Sequence, residues 1–178
     1  MMGGESLEDR GLIPRLFSTM FKRIHANTAT NKNITYRVEV SFLEIYLERV
    51  QDMLRADINS TKYLKVREHK ALGPYVENLR KVAVESAADI QALLDQGHAA
   101  RHVAATKLNS ASSRSHAVFT ITLTEVYNDP ELELTAEKVA KIDLVDLAGS
   151  ERATSTGNTG QRLREGALIN KSLTVLGR

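Results

Sequence analysis

Apolar residues recur along the chain with two different periods, and the changes between them mark out the elements. Leu16, Phe17, Met20, Phe21 and Ile24 share one face of a helical repeat opened by Gly11-Leu12-Ile13-Pro14, where Pro14 suits a first helical turn. The pattern predicts a helix ending in the polar stretch from Asn27 to Asn33. Tyr36, Val38, Val40, Phe42 and Ile45 then nearly alternate with polar neighbours, which predicts a long strand, and a short helix is expected through Met53 and Leu54. Tyr63 to Arg67 and Val76 to Val84 predict two briefer strands separated by the turn signal Gly73-Pro74. Ser86-Ala87-Ala88-Asp89 sets a serine three residues ahead of a carboxylate, and Ile90, Leu93 and Leu94 carry the helix so begun towards Val103. A strand is predicted through Val118, Phe119, Ile121, Leu123 and Val126, then a turn at Asn128-Asp129-Pro130. A further strand is expected from Val139 to Leu147, with Ile142, Leu144 and Val145 buried on both faces. Beyond it the chain is rich in Gly, Ser and Thr through Gly160, and Leu163, Ala167, Ile169, Leu173 and Leu176 open a last helix. Strands and helices interleave with no internal repeat and no low-complexity tract, so an α/β layered sheet is expected.

Composition narrows the class. At 178 residues, 42% of them hydrophobic, the chain suits one domain or part of one and is too apolar for a disordered tail. With no cysteine it can form neither a disulfide framework nor a thiolate metal site. No apolar run approaches the roughly 20 residues of a bilayer crossing, and Met1-Met2-Gly3-Gly4-Glu5 does not read as a leader. A net charge of +2 announces no polyanionic partner, although basic residues cluster locally. Lys62, Lys65, Arg67, Lys70, Arg80 and Lys81 outnumber Glu68 and Glu77; Arg152, Arg162, Arg164, Lys171 and Arg178 outnumber Glu151 and Glu165.

Two polar segments carry candidate chemistry. Asp146-Leu147-Ala148-Gly149-Ser150-Glu151 stands where an apolar strand gives way to a loop. A carboxylate at a strand's carboxyl end can hold magnesium through water, and a glycine three residues on can bring its N–H against a terminal phosphate. Asp-x-x-Gly alone more often marks an ordinary strand-to-loop turn. Asn109-Ser110-Ala111-Ser112-Ser113-Arg114-Ser115-His116 concentrates hydroxyls and a guanidinium between a helix and a strand. Such clusters commonly bond only to their own backbone. His98 and His102 have the four-residue spacing of zinc proteases but lack the glutamate base and a third ligand, and read as packing or surface residues. Asn170-Lys171 lacks the aspartate of a guanine-reading loop, with Leu173 in its place.

Taken together, Asn109-x-x-Ser112-Ser113-Arg114-Ser115-His116 and Asp146-x-x-Gly149-Ser150-Glu151 resemble the first and second switches of kinesins. Gly160-Gln161-Arg162-Leu163-Arg164-Glu165-Gly166 and Ile169-Asn170-Lys171-Ser172-Leu173 are similar to the start of the kinesin helix that sits on the microtubule. Val66-Arg67-Glu68-His69, Leu72-Gly73-Pro74-Tyr75-Val76-Glu77 and Glu44-Ile45-Tyr46 resemble the kinesin-3 group in particular. The resemblance implies a three-layer α/β fold of the P-loop nucleotide-triphosphatase type, with a central mixed sheet flanked by helices. It further implies ATP and Mg2+ as cofactors, tubulin in microtubules as partner, no nucleic acid, no membrane contact by this segment, and a cytoplasmic, cytoskeletal location. Ser113 and Asp146 would hold the magnesium shell, and Asn109 and Ser112 would contact the phosphate side. The Gly149 N–H would sense the γ-phosphate, and Arg114 would pair with Glu151 across the switches. Arg152, Arg162, Arg164 and Lys171 would face the microtubule, joined by Lys65, Arg67 and Lys70 from a hairpin.

One part of the family pattern is missing: no Gly-x-x-x-x-Gly-Lys-Ser/Thr loop occurs in the 178 residues. Met1-Met2-Gly3 resembles the residues just after that loop in kinesins, and Gly177-Arg178 falls within the microtubule-facing helix. Residues 1–178 are therefore expected to be the central portion of a motor domain, incomplete at both ends, with exposed sheet edges and no ATPase of its own. The alternative is a non-catalytic microtubule-binding module that lost the loop. Leu168 stands where kinesins usually carry asparagine, a departure that puts no switch residue in doubt.

Overall fold

The computed structural model describes residues 11–55, 63–71, 73–108, 115–131 and 133–148. They form α1 (Leu12–Thr30), β1 (Ile34–Tyr46), β2 (Arg49–Asp52), β3 (Val66–His69), β4 (Gly73–Val76), β5 (Val82–Val84), α2 (Ala87–Leu108), β6 (His116–Asp129) and β7 (Leu134–Asp146). One sheet runs in the order β2-β1-β6-β7, with β5 also on β1, and β3 and β4 make a separate hairpin. The expected α/β alternation is present. No helix among the described residues is long and apolar enough to cross a membrane.

The chain divides into two compact units. The first takes its described residues from 11–41, 81–95 and 120–143. Here α1 buries Ile13, Phe17, Met20 and Phe21, the i, i+4, i+7, i+8 stripe that its sequence announces. Asn31 ends the helix: its N–H donates to the Asn27 carbonyl (2.9 Å) and its Oδ1 accepts the Asn33 N–H (3.0 Å), which turns the chain into β1. Val38 and Val40 are buried and pair antiparallel with Val84 and Val82 of β5. The Tyr36 hydroxyl donates to Glu125 Oε2 (2.8 Å) and accepts from Asn27 Nδ2 (3.1 Å). Asn27 lowers the phenol's pKa, but burial and the Glu125 carboxylate outweigh it and leave that pKa raised. The Ser86 motif starts α2 as expected: Ser86 Oγ accepts the Asp89 N–H (3.2 Å), and Asp89 Oδ2 accepts the Glu85 N–H (3.0 Å).

The second unit takes its described residues from 42–55, 63–80, 96–119 and 144–148. Its core gathers Phe42, Leu43, Val50, Met53, Leu54, Ala117 and Phe119. The Phe42 ring meets Phe119 and His98 edge-on, at centroid distances of 5.5 and 5.6 Å. His98 is thus a packing residue.

Four local expectations change, the first being that Gly73-Pro74, expected as a turn, lies in β4 and pairs with His69 and Glu68. Met53 and Leu54 form a turn: the Met53 N–H donates to the Phe42 carbonyl, continuing the β1–β2 pairing by one residue, and the Leu54 N–H donates to Asp52 Oδ1 (both 2.9 Å). The run from Val76 to Val84 breaks at Asn78, which adopts φ 60°, so β4 and β5 are separate. The Arg80 N–H then donates to Asp52 Oδ2 (2.9 Å). Finally, β7 is not buried on both faces: Ile142 and Leu144 are half-buried, while Val139 and Val145 are 62% and 44% exposed. It is the last strand in the sheet order.

Two sites allow sharp tests of this packing. The β1–β2 hairpin turns on Leu47 and Glu48 at φ 48° and 60°, a conformation that favours Asn-Gly. The double variant L47N/E48G should raise the stability of the full-length protein by about 1–2 kcal/mol in chemical denaturation, and an unchanged midpoint would count against strain there. At Gly97 a Cβ would overlap the buried Phe42 ring. Overpacking costs about 1–3 kcal/mol and the helix gains at most about 1 from alanine, so Gly97→Ala should lower the same midpoint.

Candidate functional site

Asp146 ends β7, and its carboxylate is fixed from within the second unit by a buried guanidinium. Arg101 lies on the face of α2 that also carries Ile90, Leu94 and Gly97, so the helix phase points it inward. A cation there must be neutralised and fully hydrogen-bonded. Glu44, buried on β1, supplies the first partner: Arg101 Nε donates to Glu44 Oε1 at 2.9 Å, with both side chains under 10% exposed. An Nη group donates to Asp146 Oδ2 at 3.3 Å. The other donates to Ser115, at 3.0 Å from its carbonyl oxygen and 3.1 Å from its hydroxyl. The Ser115 hydroxyl in turn donates to Glu44 Oε1 at 2.6 Å. Among the described residues, no buried side-chain nitrogen or oxygen lacks a partner.

The charge count of this cluster has a chemical consequence. One guanidinium faces two carboxylates, and Glu44 is buried while the Asp146 side chain is 61% exposed. The surplus negative charge therefore resides at the solvent-facing end of the group. Two residues further on, the Ala148 N–H donates to His116 Nδ1 at 3.0 Å, and Ala148 is 5% exposed. The segment that opens at Asp146 is thus tied down at both the side chain and the main chain. A hard, oxygen-seeking cation such as Mg2+ fits an exposed carboxylate held in place, provided that water and phosphate complete its shell. No cluster of three or more His, Cys, Asp or Glu side chains suited to a metal occurs among the described residues.

Of the residues singled out by sequence, Asp146 lies in this cluster. Asn109, Ser112, Ser113, Arg114, Gly149 and Glu151 lie outside the described residues, as do Arg152, Arg162, Arg164 and Lys171. Lys65, Arg67 and Lys70 are all exposed on or beside the β3–β4 hairpin. Arg67 Nε donates to Glu77 Oε2 at 3.3 Å across that hairpin, and the Glu77 N–H donates to the Lys65 carbonyl at 2.9 Å. Sequence reading passed over Arg101 and gave Glu44, Ser115 and His116 no role. The available signal was phase: Arg101 falls on the buried stripe of its helix, and Glu44 continues the Val38, Val40, Phe42 alternation.

Comparison with known proteins identifies the family. The Kinesin motor domain family model matches residues 1–178. Kinesin-like protein KIF1A of Rattus norvegicus is 57% identical over 178 residues, covering 100% of this chain and 10% of that protein. Kinesin-like protein unc-104 of Caenorhabditis elegans is likewise 57% identical, covering 99% of this chain and 11% of that protein. These relatives belong to the kinesin-3 group. Among solved structures, a KIF14 dimer with AMP-PNP in complex with a microtubule superposes with a TM-score of 0.81 at 39% identity, covering 97% of this chain and 48% of that one. A fast kinesin does so with a TM-score of 0.81 at 41% identity, covering 99% and 48%. The chain spans about a tenth of the curated relatives' length and about half of the solved motor chains. The chain belongs to the kinesin motor domain family.

Proposed function

We propose that residues 1–178 are the switch-bearing portion of an ATP-driven microtubule motor of the kinesin-3 kind. The observation that carries this reading is Asp146: a carboxylate at a strand's carboxyl end, anchored by buried Arg101 yet 61% exposed. Electrostatic anchoring suits phosphoryl transfer, which depends on positioning and charge stabilisation more than on covalent chemistry.

In this reading water attacks the γ-phosphorus of ATP, and ADP and inorganic phosphate leave. Magnesium, when bound, would supply positive charge against the phosphate. Asp146 and Ser113 would hold its shell; Asn109 and Ser112 would bond the phosphate side; the Gly149 N–H would report the γ-phosphate. Arg114 and Glu151 close on each other and fix the attacking water. The glycine-rich phosphate loop has to come from residues outside these 178, so ATP turnover belongs to the longer protein and not to this segment alone. Work is done in the cytoplasm, on microtubules.

Lys65, Arg67 and Lys70 form the near part of the microtubule-facing surface, with Arg152, Arg162, Arg164 and Lys171. Their exposure on a hairpin with little buried surface supports a docking role over a folding one. Attraction of these cations to an acidic filament surface is screened by salt.

Two measurements on the full-length protein test this. Glu151→Ala should leave ATP binding intact and lower kcat by at least about 100-fold, because the switch pair acts in the hydrolytic state. Turnover near that of the parent would remove the pair from the mechanism. Raising ionic strength from about 0.01 to 0.15 M shortens the screening length from ~30 to ~8 Å and should weaken microtubule binding. Neutralising Lys65 and Lys70 together should flatten that dependence, and an affinity indifferent to salt refutes the electrostatic footprint.

A further inference from the structure

His116 is the last residue of the first polar motif, and the proposed mechanism gives it no task. Its Nδ1 accepts the N–H of Ala148 at 3.0 Å. An Nδ1 that accepts carries no proton, so the imidazole is the neutral tautomer with its hydrogen on Nε2. The donor is not an ordinary backbone group. Ala148 lies two residues beyond the end of β7 and immediately ahead of Gly149, and it is 5% exposed. A buried N–H just outside a strand has lost its ladder partner and needs another. Here a side chain from the opposite motif supplies it, across 32 residues of sequence.

The neighbour of His116 reaches the same segment by another route. Ser115 bonds Arg101 through its carbonyl and hydroxyl, and Arg101 bonds Asp146. Two adjacent residues of one motif thus fix two points of the other, Asp146 through a charge and Ala148 through its main chain. With both points held, little rotational freedom remains in the intervening Leu147 peptides. Ala148 is thereby held where the chain leaves β7, immediately before Gly149 in sequence.

We propose that His116 is a positioning residue for ATP hydrolysis: by accepting the Ala148 N–H it orients the main chain that presents the Gly149 amide to the γ-phosphate. This rests on reading residues 146–151 as the phosphate-sensing switch. It goes beyond that reading in assigning the aim of the sensor to a side chain of the other motif. A misplacement of about 1 Å in such a group costs on the order of 100-fold in rate, while ATP affinity, held mainly by the phosphate loop and base, stays nearly constant.

The test uses the full-length protein and two substitutions. His116→Phe keeps the ring and its packing volume but has no acceptor; His116→Asn places Oδ1 at nearly the reach of Nδ1 and restores one. For H116F, amide hydrogen exchange at residues 147–148 should quicken about tenfold, the loss expected for one buried hydrogen bond. Microtubule-stimulated kcat should fall about 10- to 100-fold with KM for ATP within about twofold of the parent. H116N should recover both the slow exchange and most of kcat. Unchanged exchange or unchanged kcat in H116F overturns the proposal, as does an H116N protein impaired as badly as H116F. A parent protein with no ATPase sinks the motor reading and the catalytic half of this proposal with it. The exchange contrast between H116F and H116N separates that failure from absence of the His116 bond.

Discussion

A guanidinium taken out of water must find its charge and hydrogen-bond partners within the fold, and the second unit is arranged around that need at Arg101. The effective penalty for burying an ion is several kcal/mol, and removing one member of a buried pair costs about 3–5 kcal/mol because the other is left uncompensated. Glu44, Ser115 and Asp146 meet the requirement from sequence separations of 57, 14 and 45 residues. None of these contacts is local. Each fixes a different stretch of chain in register with α2: the end of β1, the residue before β6 and the end of β7. Apolar packing alone would tolerate small slips of these ends; a network with a 2.6 Å O–H···O bond at its centre does not.

Most of the fold was legible because period is a physical property of the chain. The α1 stripe, the β1 alternation and the Ser86-Asp89 helix start appear where their spacing puts them. What misled were places where a polar residue redirected the backbone. Asp52 accepts two N–H groups, from Leu54 and Arg80, and so makes a turn where apolar Met53 and Leu54 suggested a helix. Asn78 enters the left-handed region and ends a run of strand-forming residues. The burial expected for β7 failed for a different reason. An apolar strand sequence reports what can be covered, and what covers it is a matter of neighbours that the strand itself does not encode.

The site was legible in part. Asp146 was singled out because an acid at the end of an apolar strand, with glycine close behind, is a local pattern. The residues that hold it were not, because their meaning is joint. Arg101 on a buried helical face and Glu44 on a buried strand face are each a local inconsistency, a charge where an apolar residue fits the period. Such inconsistencies resolve only when paired, and with two of them in one chain the pairing could have been inferred. The reach of His116 to a main-chain amide leaves no trace in sequence, since any acceptor of similar length could serve.

The asymmetry of the polar cluster explains why it stands here in place of a hydrophobic one. Well-packed apolar residues of the same volume often match or exceed the stability of a buried ion pair, so stability alone does not explain it. What apolar residues cannot do is hold an exposed carboxylate by charge. The Arg101 guanidinium is shared between a buried acid and a solvent-facing one, and any cation that arrives at Asp146 competes for the same electrons that bind the guanidinium. Glu44 keeps the guanidinium in place when that happens, so the strand ends remain assembled while the charge at the surface changes. Under the proposed function, where metal and phosphate would alter that surface charge in each cycle, a frame that persists through the change is a mechanical requirement. The division of labour between Glu44 and Asp146 would meet it.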